Sequence, residues 1–340
     1  MSVYKAISLQ DLINKKIIEK NSNKINNIQI NLIETSGLSG SKMYKIEVKL
    51  CDSSKFYYLK VNNLKEDWLA RVSNDRGREL IIFKENIYSK IEEFIKDIYL
   101  GYYVNKDCYA ILMEDMSEYI GSNSNMDKYF QYLNNLAKFH SKFRECDVYL
   151  YKELLSVNEY YDFLTISKVG QVEEIKELNE LGWKRIKKAL GEELYEKYNK
   201  LSKLNQVDKF YHYYPKTFIH GDYRPDNIVY FDDTNIQLID FANSGCGPCT
   251  LDLFWYIISS VDVKIDKNEL IYFYKNRLAE YLGYEYTDKT WTTLLEVGIL
   301  CTCRMFLAHT MSNTDFDNKY EAMNVDWWIE NLKYILKHYQ

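Results

Sequence analysis

The sequence predicts an α+β chain in two parts, an antiparallel sheet followed by a mostly helical region. Three observations predict it. Between residues 44 and 61, two apolar runs have the length and spacing of strands. Beyond residue 126, apolar residues recur at helical spacing in segment after segment. One short hairpin-like stretch, about residues 218–241, interrupts those helices. The division falls at 115/116, with parts 1–115 and 116–340 and no low-complexity linker or internal repeat.

Each element follows from its pattern. Asn31-Leu-Ile-Glu-Thr-Ser-Gly-Leu-Ser-Gly-Ser41 reads as a small-residue turn. Tyr44, Ile46, Val48 and Leu50 then alternate with Lys45, Glu47 and Lys49, a period-two strand. A turn at Cys51-Asp-Ser-Ser54 leads into a second strand, Phe56–Val61, which carries Lys60 in an otherwise apolar run. From about Asp75 to Asp97, Leu80, Phe83, Ile87, Ile91, Phe94 and Ile98 define one face of a helix. At about 100° per residue, Glu79 sits at the edge of that face and Glu85 on its far side. Tyr109–Met113 is a buried-type strand, and Glu114–Glu118 is a polar linker. Helices are predicted over 127–144, 156–166, 172–203, 250–262, 267–282, 290–311 and 324–338, with 172–203 read as a solvated pair.

Composition bounds the partners. At 340 residues, 46% hydrophobic and 27% charged, the chain is globular. A net charge of −5 argues against nucleic acid. No uninterrupted apolar run approaches the roughly 20 residues that cross a bilayer, and Met1-Ser-Val-Tyr-Lys5 lacks a secretory pattern. Seven cysteines, an odd count, suit a reducing cytoplasm. Cys246-Gly-Pro-Cys249 invites a zinc or redox reading, but no second pair has matching spacing.

The chemistry concentrates in Phe218-Ile-His-Gly-Asp-Tyr-Arg-Pro-Asp-Asn-Ile-Val-Tyr230, followed by Leu238-Ile-Asp-Phe241. His220, Asp222, Asn227 and Asp240 stand on or beside two short apolar strands joined by the turn Asp232-Asp-Thr-Asn235. Two carboxylates and an amide at one end of a hairpin can orient a hydroxyl and hold Mg²⁺, which prefers oxygen ligands and takes few carboxylates. Phosphoryl transfer asks for that equipment, because it depends on positioning and charge neutralisation more than on covalent help. Asp222 is the candidate base or orienting group, and Asn227 and Asp240 are the candidate metal ligands. The five-residue step from Asp222 to Asn227 equals that of the catalytic loop H-R-D-x-x-x-x-N.

The run His220-Gly-Asp-Tyr-Arg-Pro-Asp-Asn227, then Ile239-Asp-Phe241, Gly247-Pro248 and Asp252-Leu253, resembles the aminoglycoside-phosphotransferase and choline-kinase superfamily. That superfamily consists of small-molecule kinases with a bilobal protein-kinase-like fold. Three departures from protein kinases support this branch. Gly221 stands in place of Arg, Ala242 in place of the Gly of Asp-Phe-Gly, and no Ala-Pro-Glu follows Asp240. Tyr223-Arg224 is similar to the ecdysteroid-kinase-like branch.

The resemblance implies a nucleotide-binding lobe over 1–115 and a catalytic and substrate-binding lobe over 116–340. It implies that Lys60 meets nucleotide phosphates with Glu79 as its acidic partner; the bland alternatives are a solvated strand lysine and an exposed first-turn acid. Backbone N–H groups of a strand–glycine turn–strand can face phosphate, so Gly37, Ser39, Gly40 and Ser41 are the candidate cradle. With two glycines its match to G-x-G-x-x-G is poor. Met116 is the candidate adenine contact at a hinge. Arg224 either reaches the transferring phosphoryl group or pairs with Asp226. His220 braces the loop, and His140 is a core histidine. The implied cofactors are ATP, with GTP left open, and Mg²⁺. The implied partner is a small-molecule hydroxyl substrate, an aminoglycoside-like antibiotic, amino alcohol or sugar. Nucleic acid and membrane are not expected, the location is cytoplasmic, and the state is a monomer or homodimer. The alternative is a kinase-fold structural or spore-coat-type protein with little catalysis. A protein kinase is disfavoured by the missing activation segment. For the acceptor, Arg304, Phe306, Asp315, Asp317, Trp327 and Trp328 offer charge and aromatic surface, although core packing suits most of them. The adjacency of Trp327 and Trp328 predicts one core ring and one exposed ring.

Overall fold

The computed structural model describes residues 3–21, 25–33, 40–63, 65–75, 77–122, 125–143, 152–162, 176–203, 207 and 213–338. Six strands form one sheet: β1 (Tyr4–Ala6), β2 (Ile25–Ile33), β3 (Lys42–Leu50), β4 (Ser54–Asn63), β5 (Tyr99–Val104) and β6 (Cys108–Glu114). Their order is β1-β5-β6-β4-β3-β2, antiparallel throughout except for the parallel β1–β5 pair. The period-two pattern of β3 does what it predicts. Ile46 and Val48 go fully into the core with Tyr57, Leu59, Ala110 and Leu112, and the helical N-terminal segment covers them with Leu12 and Ile17.

The sheet is larger than the sequence reading. Asn31–Ile33 ends the edge strand β2 instead of opening a turn. The helix expected over 75–97 is three pieces, a 3-10 turn at Arg78–Phe83, an α-helix at Glu85–Ile91 and a 3-10 turn at Glu92–Phe94. Lys84, extended at φ −71° and ψ 132°, separates the first two. Arg78, Glu79, Ile81 and Ile82 are all buried, more of the circumference than one face of a regular amphipathic helix covers.

The chain forms two compact units: Met1–Gly121 with Ile228–Ala242, and Ser122–Asn227 with Asn243–Gln340. The sequence reading made a single division at 115/116, whereas here the hairpin of β9 (Ile228–Asp232) and β10 (Asn235–Leu238) joins the sheet unit. Gln237 is the reason. Fully buried, it donates to Asp97 Oδ2 at 2.5 Å and accepts from the Asp97 N–H at 3.1 Å. Gly121 N–H also donates to Ile228 O at 2.7 Å. The hairpin turn is closed by Asp232 Oδ1, which accepts from Thr234 N–H and Oγ1–H and from Asn235 N–H. The Thr234 hydroxyl first, then those backbone donors, hold the Asp232 carboxyl below its ordinary pKa.

The second unit is helical. Met126–Ser141 packs on Lys267–Leu282, Thr250–Ser260 on Asp288–Thr302, and Lys176–Leu190 on Ala308–Asn313. The expected pair over 172–203 breaks at Gly191, φ 78°, into Lys176–Leu190 and Glu192–Lys203. It is less solvated than its charge suggests, since Trp183, Ile186, Tyr195 and Tyr198 are buried. Of the helix expected over 156–166, Val157–Asp162 is present, Ser156 belongs to a strand, and 163–166 lie outside the described residues. The helix expected over 290–311 contains a π-helical segment, Cys303–Leu307. Asp288–Asn313 has the length and composition of a membrane span, yet 72% of its apolar window is buried inside the unit, as in a core helix. A small sheet sets β11 (Gly245–Gly247) between β7 (Leu155–Ser156), parallel, and β8 (Thr217–Ile219), antiparallel. A sheet unit and a helical unit make up the α+β class that the sequence predicts.

Candidate active site

In the sheet unit, the strand pattern sets Lys60 on β4 facing inward. Its Nζ lies 2.8 Å from Glu79 Oε2 and 2.8 Å from Asp240 Oδ1. Lys60 and Glu79 are almost wholly buried, with side-chain exposures of 6% and 1%, whereas Asp240 keeps 40% of its side chain exposed. Burial opposes the Lys60 ammonium, but the charges of Asp240 and then Glu79 outweigh it and raise its pKa, so Lys60 is a cation. Burial pushes the Glu79 carboxyl up to about 7, against the pull of Lys60. Tyr109 OH also donates to Glu79 Oε2 at 3.3 Å. Removing one member of a buried pair like this leaves an uncompensated charge and costs about 3–5 kcal/mol.

Two local features deliver these acids. Asp75 Oδ1 accepts from Gly77 N–H at 2.9 Å and Arg78 N–H at 2.6 Å, which starts the turn that carries Glu79. Asp240 has φ 62°, a left-handed conformation that Asp tolerates better than most residues and that recurs at functional sites. Arg78, buried and not singled out by sequence, links the two segments by donating to Ser73 O at 3.0 Å and Ala242 O at 2.9 Å.

In the helical unit, the loop after β8 carries His220, Asp222, Arg224 and Asn227. Asn227 Nδ2 donates to Asp222 O and Asp222 Oδ2, each at 2.9 Å. Arg224 Nε lies 3.4 Å from Asp222 Oδ1 and its Nη1 3.5 Å from Asp226 Oδ2, so the surface pairing with Asp226 is present and a contact to Asp222 is added. Gly221 takes φ 82°, where a side chain would collide with Asn243 O.

Asp252 holds this loop. Fully buried, it accepts His220 N–H at 2.7 Å on Oδ2 and Gly221 N–H at 2.8 Å on Oδ1. His140 Nε2 lies 3.1 Å from the same Oδ2, so Nε2 carries the proton, and Nδ1 accepts from Tyr274 OH at 2.6 Å. His140 is therefore a satisfied core histidine. His220 is fully buried and its Nδ1 accepts from Asp222 N–H at 3.3 Å, the bracing role expected of it. In the sequence Asp252 is legible as a family marker only; its function as an anchor comes from the fold. Trp255, whose Nε1–H donates to Asp222 Oδ1 at 2.9 Å, is not legible in the sequence as a site residue.

The remaining candidates are placed as follows. Gly37 and Ser39 lie outside the described residues. Gly40 is exposed at φ 92° and Ser41 leads into β3. Met116, half-buried, follows β6 and accepts from Tyr119 N–H at 2.9 Å. Cys249 is buried and its thiol is pushed up to about 12 by burial, which removes the thiolate that zinc or redox chemistry needs. Arg304 is buried among the rings of Tyr161, Trp183 and Tyr198, 4.8–5.4 Å from their centroids. Trp328 is core and Trp327 half-buried, while Asp315 and Asp317 are exposed.

The donor set suits the groups that the motif implies. Asn227 gives its amide N–H groups to Asp222, and among the described residues its Oδ1 accepts no hydrogen bond. Asp240 presents a part-exposed carboxylate. Both are hard oxygen donors of the kind Mg²⁺ takes.

Comparison with known proteins adds the following. No curated protein matches the sequence. Among solved structures, the spectinomycin phosphotransferase APH(9)-Ia, in complex with ADP and spectinomycin, aligns over 95% of this chain and 97% of its own, at 15% identity and TM-score 0.49. A choline kinase from Cryptosporidium parvum aligns over 95% and 96%, at 12% identity and TM-score 0.49. An ethanolamine kinase from Plasmodium vivax aligns over 94% and 89%, at 16% identity and TM-score 0.47. Residues 175–290 match the phosphotransferase enzyme family, and this segment contains His220, Asp222, Asn227, Asp240 and Asp252. The match agrees with the resemblance that the motif carries: over this segment the chain is similar to the phosphotransferase enzyme family.

Proposed function

We propose that this enzyme transfers the γ-phosphoryl group of ATP to a hydroxyl of a small molecule, an aminoglycoside-like antibiotic, an amino alcohol or a sugar. The observation that carries the proposal is the buried Lys60–Glu79 pair with Asp240 on the same ammonium. A buried ion pair is an expensive way to stabilise a fold, and a lysine held charged by an acid is what nucleotide phosphates need. A scaffold without catalysis has no use for it.

In this reading Asp222 accepts the proton of the attacking hydroxyl, and Asn227 and Asp240 are the Mg²⁺ ligands. Bound there, the ion would neutralise charge on the transferring phosphoryl group. Lys60 pairs with the nucleotide phosphates. The Arg224 guanidinium, part-exposed and loosely paired, turns its fork of donors to the phosphoryl oxygens. Gly37, Ser39, Gly40 and Ser41 supply backbone N–H groups, and Met116 meets the adenine edge. GTP is the second donor to test, because hinge contacts are largely backbone. The same reading locates the enzyme in the cytoplasm, where ATP is available.

The test is a coupled ADP-release assay over aminoglycosides, choline-like alcohols and sugars. One or more acceptors should stimulate release. Asp222→Ala should lower turnover at least about a hundredfold, the scale of a lost acid–base group, while nucleotide still binds. Asp240→Ala should weaken Mg²⁺-dependent nucleotide binding. Equal turnover in wild type and Asp222→Ala removes the assignment.

A further inference from the structure

We infer that Trp255 is a positioning residue for Asp222, holding its carboxylate through the indole N–H. The inference rests on the proposed role of Asp222 as proton acceptor. Trp255 lies on the helix Thr250–Ser260, three residues after Asp252, so the two side chains leave the same side of the helix. Asp252 holds the backbone of the loop at His220 and Gly221. Trp255 reaches one step further and donates to Asp222 Oδ1 at 2.9 Å. A single helix face thus sets both the path of the loop and the direction of its reactive side chain.

Two further donors to that carboxylate come from the loop itself. Asn227 takes Oδ2 at 2.9 Å, and Arg224 approaches Oδ1 at 3.4 Å. Arg224 is a weak hold, being 38% exposed and shared with Asp226. Trp255 contributes a rigid donor from a separate element. Its ring is itself braced, edge to face, by Phe306 from the π-helical segment, with centroids 5.1 Å apart. With Trp255 on Oδ1 and Asn227 on Oδ2, rotation of the carboxylate breaks one bond or both. That matters for a base, whose contribution depends on the direction its lone pair faces at the moment of transfer.

The predicted signature is a loss of turnover without a loss of nucleotide binding. Trp255→Phe keeps an aromatic ring and removes the donor. ADP release, read on Mg·ATP with an acceptor selected from the panel or with water alone, should fall about tenfold, the scale of one hydrogen bond to a charged group. KM for Mg·ATP should stay put. Should Trp255→Phe fold poorly, 3-benzothienylalanine at position 255 retains the bicycle without the N–H and should show the same split. In protein labelled with ¹⁵N-tryptophan, the Trp255 indole resonance should move in Asp222→Asn. Wild-type turnover in Trp255→Phe or the benzothienyl variant, or an indole resonance indifferent to Asp222→Asn, overturns the inference if Asp222→Ala is inactive, and leaves the proposed function standing. An active Asp222→Ala, or a wild-type protein that releases no ADP, overturns the proposed function and this inference with it.

Discussion

Asp252→Asn tests how the candidate catalytic loop is held. The carboxylate receives His220 N–H and His140 Nε2–H on Oδ2, and Gly221 N–H on Oδ1, at 2.7, 3.1 and 2.8 Å. Asparagine has nearly the same shape but only one acceptor oxygen. If that oxygen keeps the Oδ2 partners, the amide NH₂ faces the Gly221 N–H, donor against donor. Losing one charge-assisted bond costs about 1.5–3 kcal/mol, and a buried donor without an acceptor about 1–3 more. The total is about 2.5–6 kcal/mol, undiminished because Asp252 is fully buried and no solvent relieves it. For a unit of about 200 residues, each kcal/mol moves Tm by roughly 2–4 °C, so thermal unfolding should shift down by about 10 °C. ADP release should fall as well, because Gly221 and Asp222 lose the brace that sets their path. Circular-dichroism melting checks the first, and the coupled assay the second. A shift under about 2 °C with unchanged turnover would refute the claim that Asp252 anchors the loop.

Three further outcomes follow from the same geometry. Gly221→Ala adds a Cβ at φ 82° against Asn243 O; it should destabilise the helical unit by about 1–3 kcal/mol and lower turnover, as measured by melting and ADP release. Glu79→Gln addresses pH. The folded-state pKa of Glu79, about 7, lies above the 4.5 of a free glutamate, so this group favours the folded state at low pH and loses that contribution as pH rises through about 7. The span is about 3 kcal/mol, and a stability–pH series should lose that slope in Glu79→Gln. In function the direction reverses: the ionised carboxylate orients Lys60, so nucleotide binding by thermal shift should strengthen across about pH 7 in wild type and stay flat in Glu79→Gln. Arg78→Ala removes the donors to Ser73 O and Ala242 O; one buried and one part-buried carbonyl lose their partner, and urea unfolding should report a loss of about 1–3 kcal/mol.

What was legible in the sequence was local. The five-residue step from Asp222 to Asn227 places both on one short loop, and the structure joins them by two hydrogen bonds. Lys60 was readable only by its order ahead of the motif and the resemblance, since a lone strand lysine is usually solvated; the structure buries it. Glu79 was found by its angle on a helical face, although the element proved to be a 3-10 turn. Spacing still predicted its inward direction because neighbouring apolar residues drive the whole segment against the sheet. The expected turn at Asn31–Ile33 failed for a related reason: pairing with β3 supplies backbone hydrogen bonds that outweigh the weak strand signal of an Asn-rich run.

By itself, then, the sequence determined the α+β class, the strands β3, β4 and β6, most of the helices of the second unit, and the candidate acids, amide and lysine for phosphoryl transfer. Tertiary structure alone decided what holds them. Arg78 meets Ala242 across 164 positions, His140 meets Asp252 across 112, Gln237 meets Asp97 across 140, and Trp255 meets Asp222 across 33. No periodicity encodes such meetings. Propensity and pattern act within a few turns of chain, whereas the partner of a buried carboxylate is chosen by which faces pack together once the whole core has formed.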